Sequence, residues 1–416
     1  MRLLLSAFAC YPGLGSEPNI GWNMALEMAR QNSVWVLTDA ANRVGIESAT
    51  GISPLSNLHF IYISLPRWIK RAGVLEWVYY ALWQIKAFWV ARRLHQSVKF
   101  DAALHITYVT SWMPTWLGWL GIPFLWCAGT RASTPWSFLG QMSVSSAIRE
   151  IIRNLALATL GRINILLARK PNTWVISSSS QQDWKGTRLV PFALGGLSED
   201  ELSQLASVSR HYEGIFRVAS VGRFIGWKGF NMGLRAFATL HQQFPQSEYW
   251  LIGDGPDKEM LQRLAQKLGI ETAVKFLPWQ SRQELFRLLG SIDVLLHPSL
   301  HEQFGYVILE AMAAGRPVVC LDVGGASFLV DEKCGFKITV SSPQQVVEDM
   351  GTALLQLALQ PTLKLQMGEA ARLRAYSYSW KIIAKRIEMI TLQMVNEFSG
   401  RGSAVIEPYP GKDNFG

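Results

Sequence analysis

Val294-Leu295-Leu296-His297-Pro298-Ser299-Leu300-His301-Glu302-Gln303-Phe304-Gly305-Tyr306-Val307-Ile308-Leu309-Glu310-Ala311-Met312 contains the whole grammar of the chain in one stretch. A short apolar run, 294–297, reads as a buried strand. Proline and polar residues over 298–304 read as a loop, and a helix is expected from Gly305 to about residue 314, with Glu310 one to two turns in. The first turn of such a helix has backbone N–H groups without intrahelical partners and a partial positive charge, which suits a phosphate. Glu302 and Glu310 stand eight positions apart, a rise of ~12 Å on a continuous helix. That is too far for an acid/base pair on one glycosidic bond, and it suits carboxylates holding two ends of an elongated ligand.

The same alternation extends both ways. In the second half, strands are expected at 216–221, 249–252, 274–276, 294–297, 318–321 and 336–338, with helices at 231–244, 258–268, 282–288 and 305–314. In the first half, strands are expected at 3–9, 34–38, 58–63, 103–107, 124–127 and 173–177, with a helix near 18–30. Serial strand–helix units of this kind build parallel sheets with helices on both faces. A loosened stretch at 190–217, rich in Ser, Gly, Asp and Glu, reads as a linker. The expected domains are therefore 1–200 and 201–398, with a disordered tail over 399–416. At 416 residues, with 49% hydrophobic and 17% charged side chains, the chain is globular and far from a disordered composition. Its four cysteines lack metal-ligand spacing and are too few to staple a chain this long, which fits a reducing compartment.

Two apolar stretches need separate judgement. Residues 1–10 have almost no charged n-region and run straight into a glycine loop, so a first buried strand is expected rather than a leader. Residues 102–130 carry no Lys, Arg, Asp or Glu, but glycines and prolines divide them into strand, short helix and strand, so no membrane span is expected there.

Charge is unevenly spread. Residues 1–200 hold 18 Lys/Arg against 10 Asp/Glu, and 13 of the 17 tryptophans; the rest holds 22 against 21. Seven basic residues lie among the tryptophans of 67–99 with Glu76 as the one acid, and six lie in 131–170 with Glu150 as the one acid. Basic side chains interleaved with indoles favour an anionic membrane surface over nucleic acid, since no nucleic-acid-binding motif accompanies them.

Further motifs stand in order around the opening stretch: Val221-Gly222-Arg223-Phe224-Ile225-Gly226-Trp227-Lys228-Gly229, Ile252-Gly253-Asp254-Gly255-Pro256, Ala314-Gly315-Arg316-Pro317-Val318-Val319 and Gly324-Gly325. In this order and spacing the set resembles the retaining family 4 glycosyltransferases of GT-B fold, strongly over about 216–340. The resemblance implies an α/β protein of two Rossmann-like parallel-sheet domains facing across a cleft, with C-terminal helices packing back toward the first domain. It implies transfer of a sugar from a nucleotide diphosphate sugar, with retention and with no metal or other cofactor. The basic, tryptophan-rich first half adds the expectation of a lipid-linked or glycan acceptor at the cytoplasmic membrane face, and no nucleic acid. Arg223 and Lys228 match the family's diphosphate-binding cations, Glu310 its ribose-binding carboxylate and Glu302 the carboxylate beside the donor sugar. Phe304, Gly305, Gly253 and Gly255 match main-chain approaches to the donor. Gly13 and Gly15, in Cys10-Tyr11-Pro12-Gly13-Leu14-Gly15-Ser16-Glu17, look like the family's first-domain glycine loop, and His105 resembles its active-site histidine. His105 alone also reads as a satisfied core residue. The chain departs from the family at Arg131-Ala132-Ser133, at Trp279 where glycine is usual, and at Phe328 where many members carry Glu. A nucleotide-sugar epimerase of the same fold and a catalytically inactive GT-B subunit are the competing readings.

Overall fold

The structure, a computed structural model, describes residues 1–51, 55–66, 76–108, 111–208 and 214–401. It divides into two compact units: Met1–Arg131, Ala156–Gly195 and Trp380–Gly416 in the first, Ala132–Leu155 and Gly196–Ser379 in the second.

In the first unit, β1 (Arg2–Ser6), β2 (Ser33–Asp39), β3 (Leu58–Ile63), β4 (Ala102–His105), β5 (Phe124–Cys127), β6 (Thr173–Ser177) and β7 (Arg188–Pro191) form one sheet in the order β3-β2-β1-β4-β5-β6-β7. Every neighbouring pair is parallel. Leu3, Leu4 and Leu5 are fully buried, as expected of a central parallel strand covered on both faces. The uncharged stretch 102–130 supplies the adjacent strands β4 and β5, buried throughout, and a 3-10 turn at Leu117–Leu120. The helix Trp380–Phe398 buries Trp380, Ile383, Ala384, Ile387, Ile390, Thr391 and Met394, an i, i+3, i+4, i+7 stripe. Its Glu388 accepts a hydrogen bond from Asn32 (2.7 Å) and its Glu397 pairs with Arg188 (3.2 Å).

In the second unit, β8 (Phe216–Val221), β9 (Ser247–Ile252), β10 (Val274–Leu277), β11 (Val294–His297), β12 (Val318–Leu321) and β13 (Gly335–Ile338) form an all-parallel sheet ordered β10-β9-β8-β11-β12-β13. The order reverses between β8 and β11. Their carboxyl ends are thus the switch point where open α/β sheets take ligands. The helix Phe230–Gln243 buries Met232, Leu234, Phe237 and Leu240 against Val218, Tyr249, Leu251 and Leu296. Each such side chain contributes roughly 1.5–3 kcal/mol relative to exposure.

Three features differ from the sequence expectations. The Ser/Asp/Glu-rich linker contains a helix, Glu199–Ala206, closed by a capping box in which Ser198 and Glu201 satisfy each other's backbone N–H groups. Strand β7 has no apolar run because it is a partly exposed edge strand ending at Pro191. The compact units also interleave in sequence: residues 132–155 cluster with the second unit and Trp380–Phe398 with the first, where the expected boundaries were 1–200 and 201–398. Of the expected disordered tail, 402–416 lie outside the described residues, as do Arg67, Trp68, Lys70 and Arg71 of the first basic stretch.

Candidate active site

The loops leaving β8, β9 and β11 carry most of the expected donor residues of the second unit. After β8 the chain runs through Gly222 and Arg223 into a 3-10 turn, Gly226–Lys228, and then the helix Phe230–Gln243. After β9, Gly253 has φ 140°, and a Cβ there would lie 2.1 Å from the Gly222 carbonyl oxygen. The two loops are joined by Gly222 N–H to Ile252 O (3.0 Å) and Phe224 N–H to Asp254 O (2.8 Å). A Cβ on Gly255 would likewise lie 2.5 Å from the Phe224 carbonyl oxygen. Gly253 and Gly255 therefore act here by letting one site loop lie directly on another.

After β11 the loop delivers Glu302. The ammonium of Lys228 donates to Glu302 Oε2 at 2.7 Å, and His297 Nε2 lies 3.0 Å from the same oxygen. Oε1 takes no hydrogen bond among the described residues. Burial pushes the Glu302 carboxyl upward, but the Lys228 charge and the His297 hydrogen bond outweigh it and hold the group well below the usual carboxylate range. Burial lowers His297, against the opposing pull of Glu302, so a neutral imidazole donates from Nε2. The loop is held from behind by Gly324 and Gly325: Gly325 N–H donates to Glu302 O (2.8 Å), and a Cβ on Gly324 would lie 2.0 Å from that oxygen. Phe304 is buried, and Gly305 (φ 96°) opens the helix Tyr306–Ala313, which begins without a side-chain cap. Its first-turn amides thus lack a side-chain acceptor.

Glu310 lies in that helix, almost wholly buried. Arg282 Nη1 holds its Oε1 at 3.0 Å and bonds Glu201 through Nη2 at 2.7 Å. Burial raises the Glu310 carboxyl and Arg282 opposes it. Arg223 is exposed and makes no ion pair among the described residues. The structure thus joins Lys228 directly to Glu302, puts Glu310 on the following helix and leaves Arg223 open to solvent.

In the first unit, Gly13 (φ 73°) and Gly15 (φ 42°) lie in the exposed loop after β1, with no atom within 4 Å of a would-be Cβ. His105 ends β4, which pairs with β1. It is buried, and both ring nitrogens are engaged: Nε2 with Tyr80 Oη and Nδ1 with Ser6 Oγ, each at 3.1 Å. Burial pushes it down to about 3. This is the arrangement of a satisfied core histidine, so the expected active-site role gains no free ring nitrogen. Phe328, where many members of the resembled family carry Glu, is buried, and its carbonyl accepts from Tyr378 Oη (2.8 Å).

His297, Arg282, His301 and Glu150 were missed from the sequence. His297 was readable as a polar residue ending a buried strand beside Glu302. Arg282 comes from the helix Arg282–Gly290 and Glu150 from far along the chain, and no local pattern announces either.

Two parallel Rossmann-like units with the site loops at a switch point define the class of the GT-B glycosyltransferase fold. Sucrose-phosphate synthase from Thermosynechococcus elongatus superposes with a TM-score of 0.62 at 19% identity, over 95% of this chain and 99% of that one. HepE from Anabaena, in complex with UDP, superposes with a TM-score of 0.59 at 18% identity, over 94% and 98%. Residues 204–374 match the family described as Glycosyl transferases group 1. A D-inositol 3-phosphate glycosyltransferase of Corynebacterium jeikeium (strain K411) is 34% identical over 181 residues, covering 42% of each chain. The chain thus matches well under half the length of that curated relative.

Proposed function

We propose that the protein is a glycosyltransferase that moves a sugar, with retention, from a nucleotide diphosphate sugar to a lipid-linked or polysaccharide acceptor. The observation that carries this reading is the Lys228–Glu302 pair at the start of the helix Tyr306–Ala313. An ammonium has three donors and Glu302 takes one, leaving two for diphosphate oxygens. As the bond from the anomeric carbon to the diphosphate breaks, the leaving group gains negative charge. Lys228 and the uncapped helix amides are the fixed positive groups that stabilise it, and Arg223, exposed and without an ion pair among the described residues, supplies a further cation. The free Oε1 of Glu302 suits a sugar hydroxyl. Glu310, held through one oxygen by Arg282, suits the ribose. UDP, bound by HepE, is the first nucleotide to test.

Membrane attachment is supported by the helix Val144–Ala168, whose Val144, Ile148, Ile152, Leu155, Ile163 and Leu166 are each more than half exposed and recur at helical spacing. Arg149, Arg162 and Arg169 are exposed beside them. By length and composition this helix could cross a membrane. Its Glu150 and Asn164 are instead buried in hydrogen bonds to protein, which favours a peripheral position over a span. The free, buried cysteines suit a reducing compartment.

UDP-, GDP- and ADP-sugars are tested for hydrolysis and for thermal stabilisation, with and without EDTA. The expected result is turnover of one nucleotide class, undiminished by EDTA because the charge stabilisation comes from protein cations. Absence of both turnover and stabilisation with all three would contradict the reading, and loss of turnover in EDTA would contradict its metal-free part.

A further inference from the structure

Residues 132–155 come from a distant part of the chain, yet they are bonded to each site loop of the second unit. Gly226 N–H donates to Ser146 Oγ (3.2 Å), and Asn231 Nδ2 donates to Gln141 O (2.7 Å). Ser143 and Ser146 donate to the two oxygens of Asp257, beyond β9, at 2.6 and 3.2 Å. A fifth contact reaches the Glu302 loop: His301 Nε2 lies 3.3 Å from Glu150 Oε2. The His301 ring lies flat on Trp227, with centroids 4.1 Å apart and planes 18° apart. Leu300 N–H donates to Trp227 O (2.9 Å).

Trp227 precedes Lys228 and His301 precedes Glu302, so this stack braces the two members of the central pair one residue away from each. Glu150 is only 2% exposed, and a carboxylate buried to that degree is costly unless its oxygens are satisfied. Thr134 Oγ1 donates to it and Arg153 lies 3.5 Å away, with Arg153 Nη2 bonded in turn to Ala132 O (2.6 Å). Arg153 and Glu302 are the other charged groups acting on His301. A carboxylate accepts only, so His301 must carry its proton on Nε2 to meet Glu150.

We infer that Glu150 and His301 are positioning residues: the hydrogen bond between them fixes the imidazole on Trp227 and thereby the relative placement of Lys228 and Glu302. This rests on the glycosyltransferase reading for its kinetic consequence, and on geometry alone for its structural one. Misplacement of reacting groups by about 1 Å costs on the order of 10²-fold in rate.

The test uses the full chain with Glu150→Ala, Glu150→Gln and His301→Phe, the last keeping the stack and removing the hydrogen bond. For variants with native circular dichroism, Glu150→Ala and His301→Phe are expected to lower donor kcat about 10- to 100-fold with little change in donor KM. Glu150→Gln, whose amide oxygen accepts the same bond, restores kcat. Wild-type kcat in folded Glu150→Ala or His301→Phe, or failure of Glu150→Gln to restore it, overturns the inference. Nitrogen NMR of the imidazole gives a readout independent of activity: His301 is the Nε2–H tautomer in wild type and loses that preference in Glu150→Ala. If wild type turns over no nucleotide sugar while this tautomer is present, the glycosyltransferase reading fails and the brace stands. A wild-type Nδ1–H tautomer overturns the brace whatever the activity.

Discussion

Glu302 is a mostly buried carboxylate that stays ionised because one cation and one neutral donor converge on a single oxygen. Histidine 105 is the opposite case, a buried base kept neutral. In the fold it is pushed down to about 3 from an ordinary value of 6.5, so below about pH 6.5 the unfolded chain takes up a proton that the folded chain refuses. Its share of stability is fully present above pH 6.5 and falls as the pH drops toward 3, by up to about 1.4 kcal/mol per pH unit. Urea melts at pH 7.5 and 5.0 are expected to show wild type losing about 2 kcal/mol more than His105→Gln; equal losses would contradict this. Glu302 and Glu310 could be singled out because they sit inside a strand–loop–helix pattern, whereas Lys228 was singled out through the resemblance of residues 221–229 to a family motif. His105 was legible only as a choice between two roles, since its partners Ser6 and Tyr80 come from two other elements.

At the scale of elements, the site is a set of loops held against one another by backbone contacts. Gly253 has both a positive φ and a neighbouring carbonyl where its Cβ would go, so Gly253→Ala must separate the β8 and β9 loops. Gly13 has positive φ and open space. Thermal melts are therefore expected to rank them: about 1–2 kcal/mol lost for Gly13→Ala, from backbone strain alone, and at least about 3 kcal/mol for Gly253→Ala. Equal losses would contradict the close packing of those loops. Strands and helices of the second half were read within a few residues because buried parallel strands are continuous apolar runs. The helix Glu199–Ala206 was not, because its composition is polar, although Ser198 and Glu201 carry its start signal. Nor was β7, whose edge position needs no apolar pattern.

At the scale of the whole molecule, the asymmetry of charge and tryptophan was countable from the sequence. The return of 132–155 to the second unit and of Trp380–Phe398 to the first was not, because no local signal marks a chain crossing between cores. The exposed apolar row on Val144–Ala168, flanked by arginines, predicts flotation with vesicles containing phosphatidylglycerol, reduced by Ile148→Asp/Ile152→Asp and by high salt. Equal flotation with phosphatidylcholine alone would contradict the electrostatic part of that attachment. The central claim, that the second unit binds a nucleoside diphosphate beside the Lys228–Glu302 pair, is tested most directly at Arg223. That residue is exposed and without an ion pair among the described residues, so its loss perturbs little of the fold. Calorimetric titration of UDP, or of whichever nucleoside diphosphate stabilises wild type most, is expected to show about tenfold or greater weakening in Arg223→Ala, as befits a lost charge-assisted contact. Unchanged affinity in Arg223→Ala would contradict the claim.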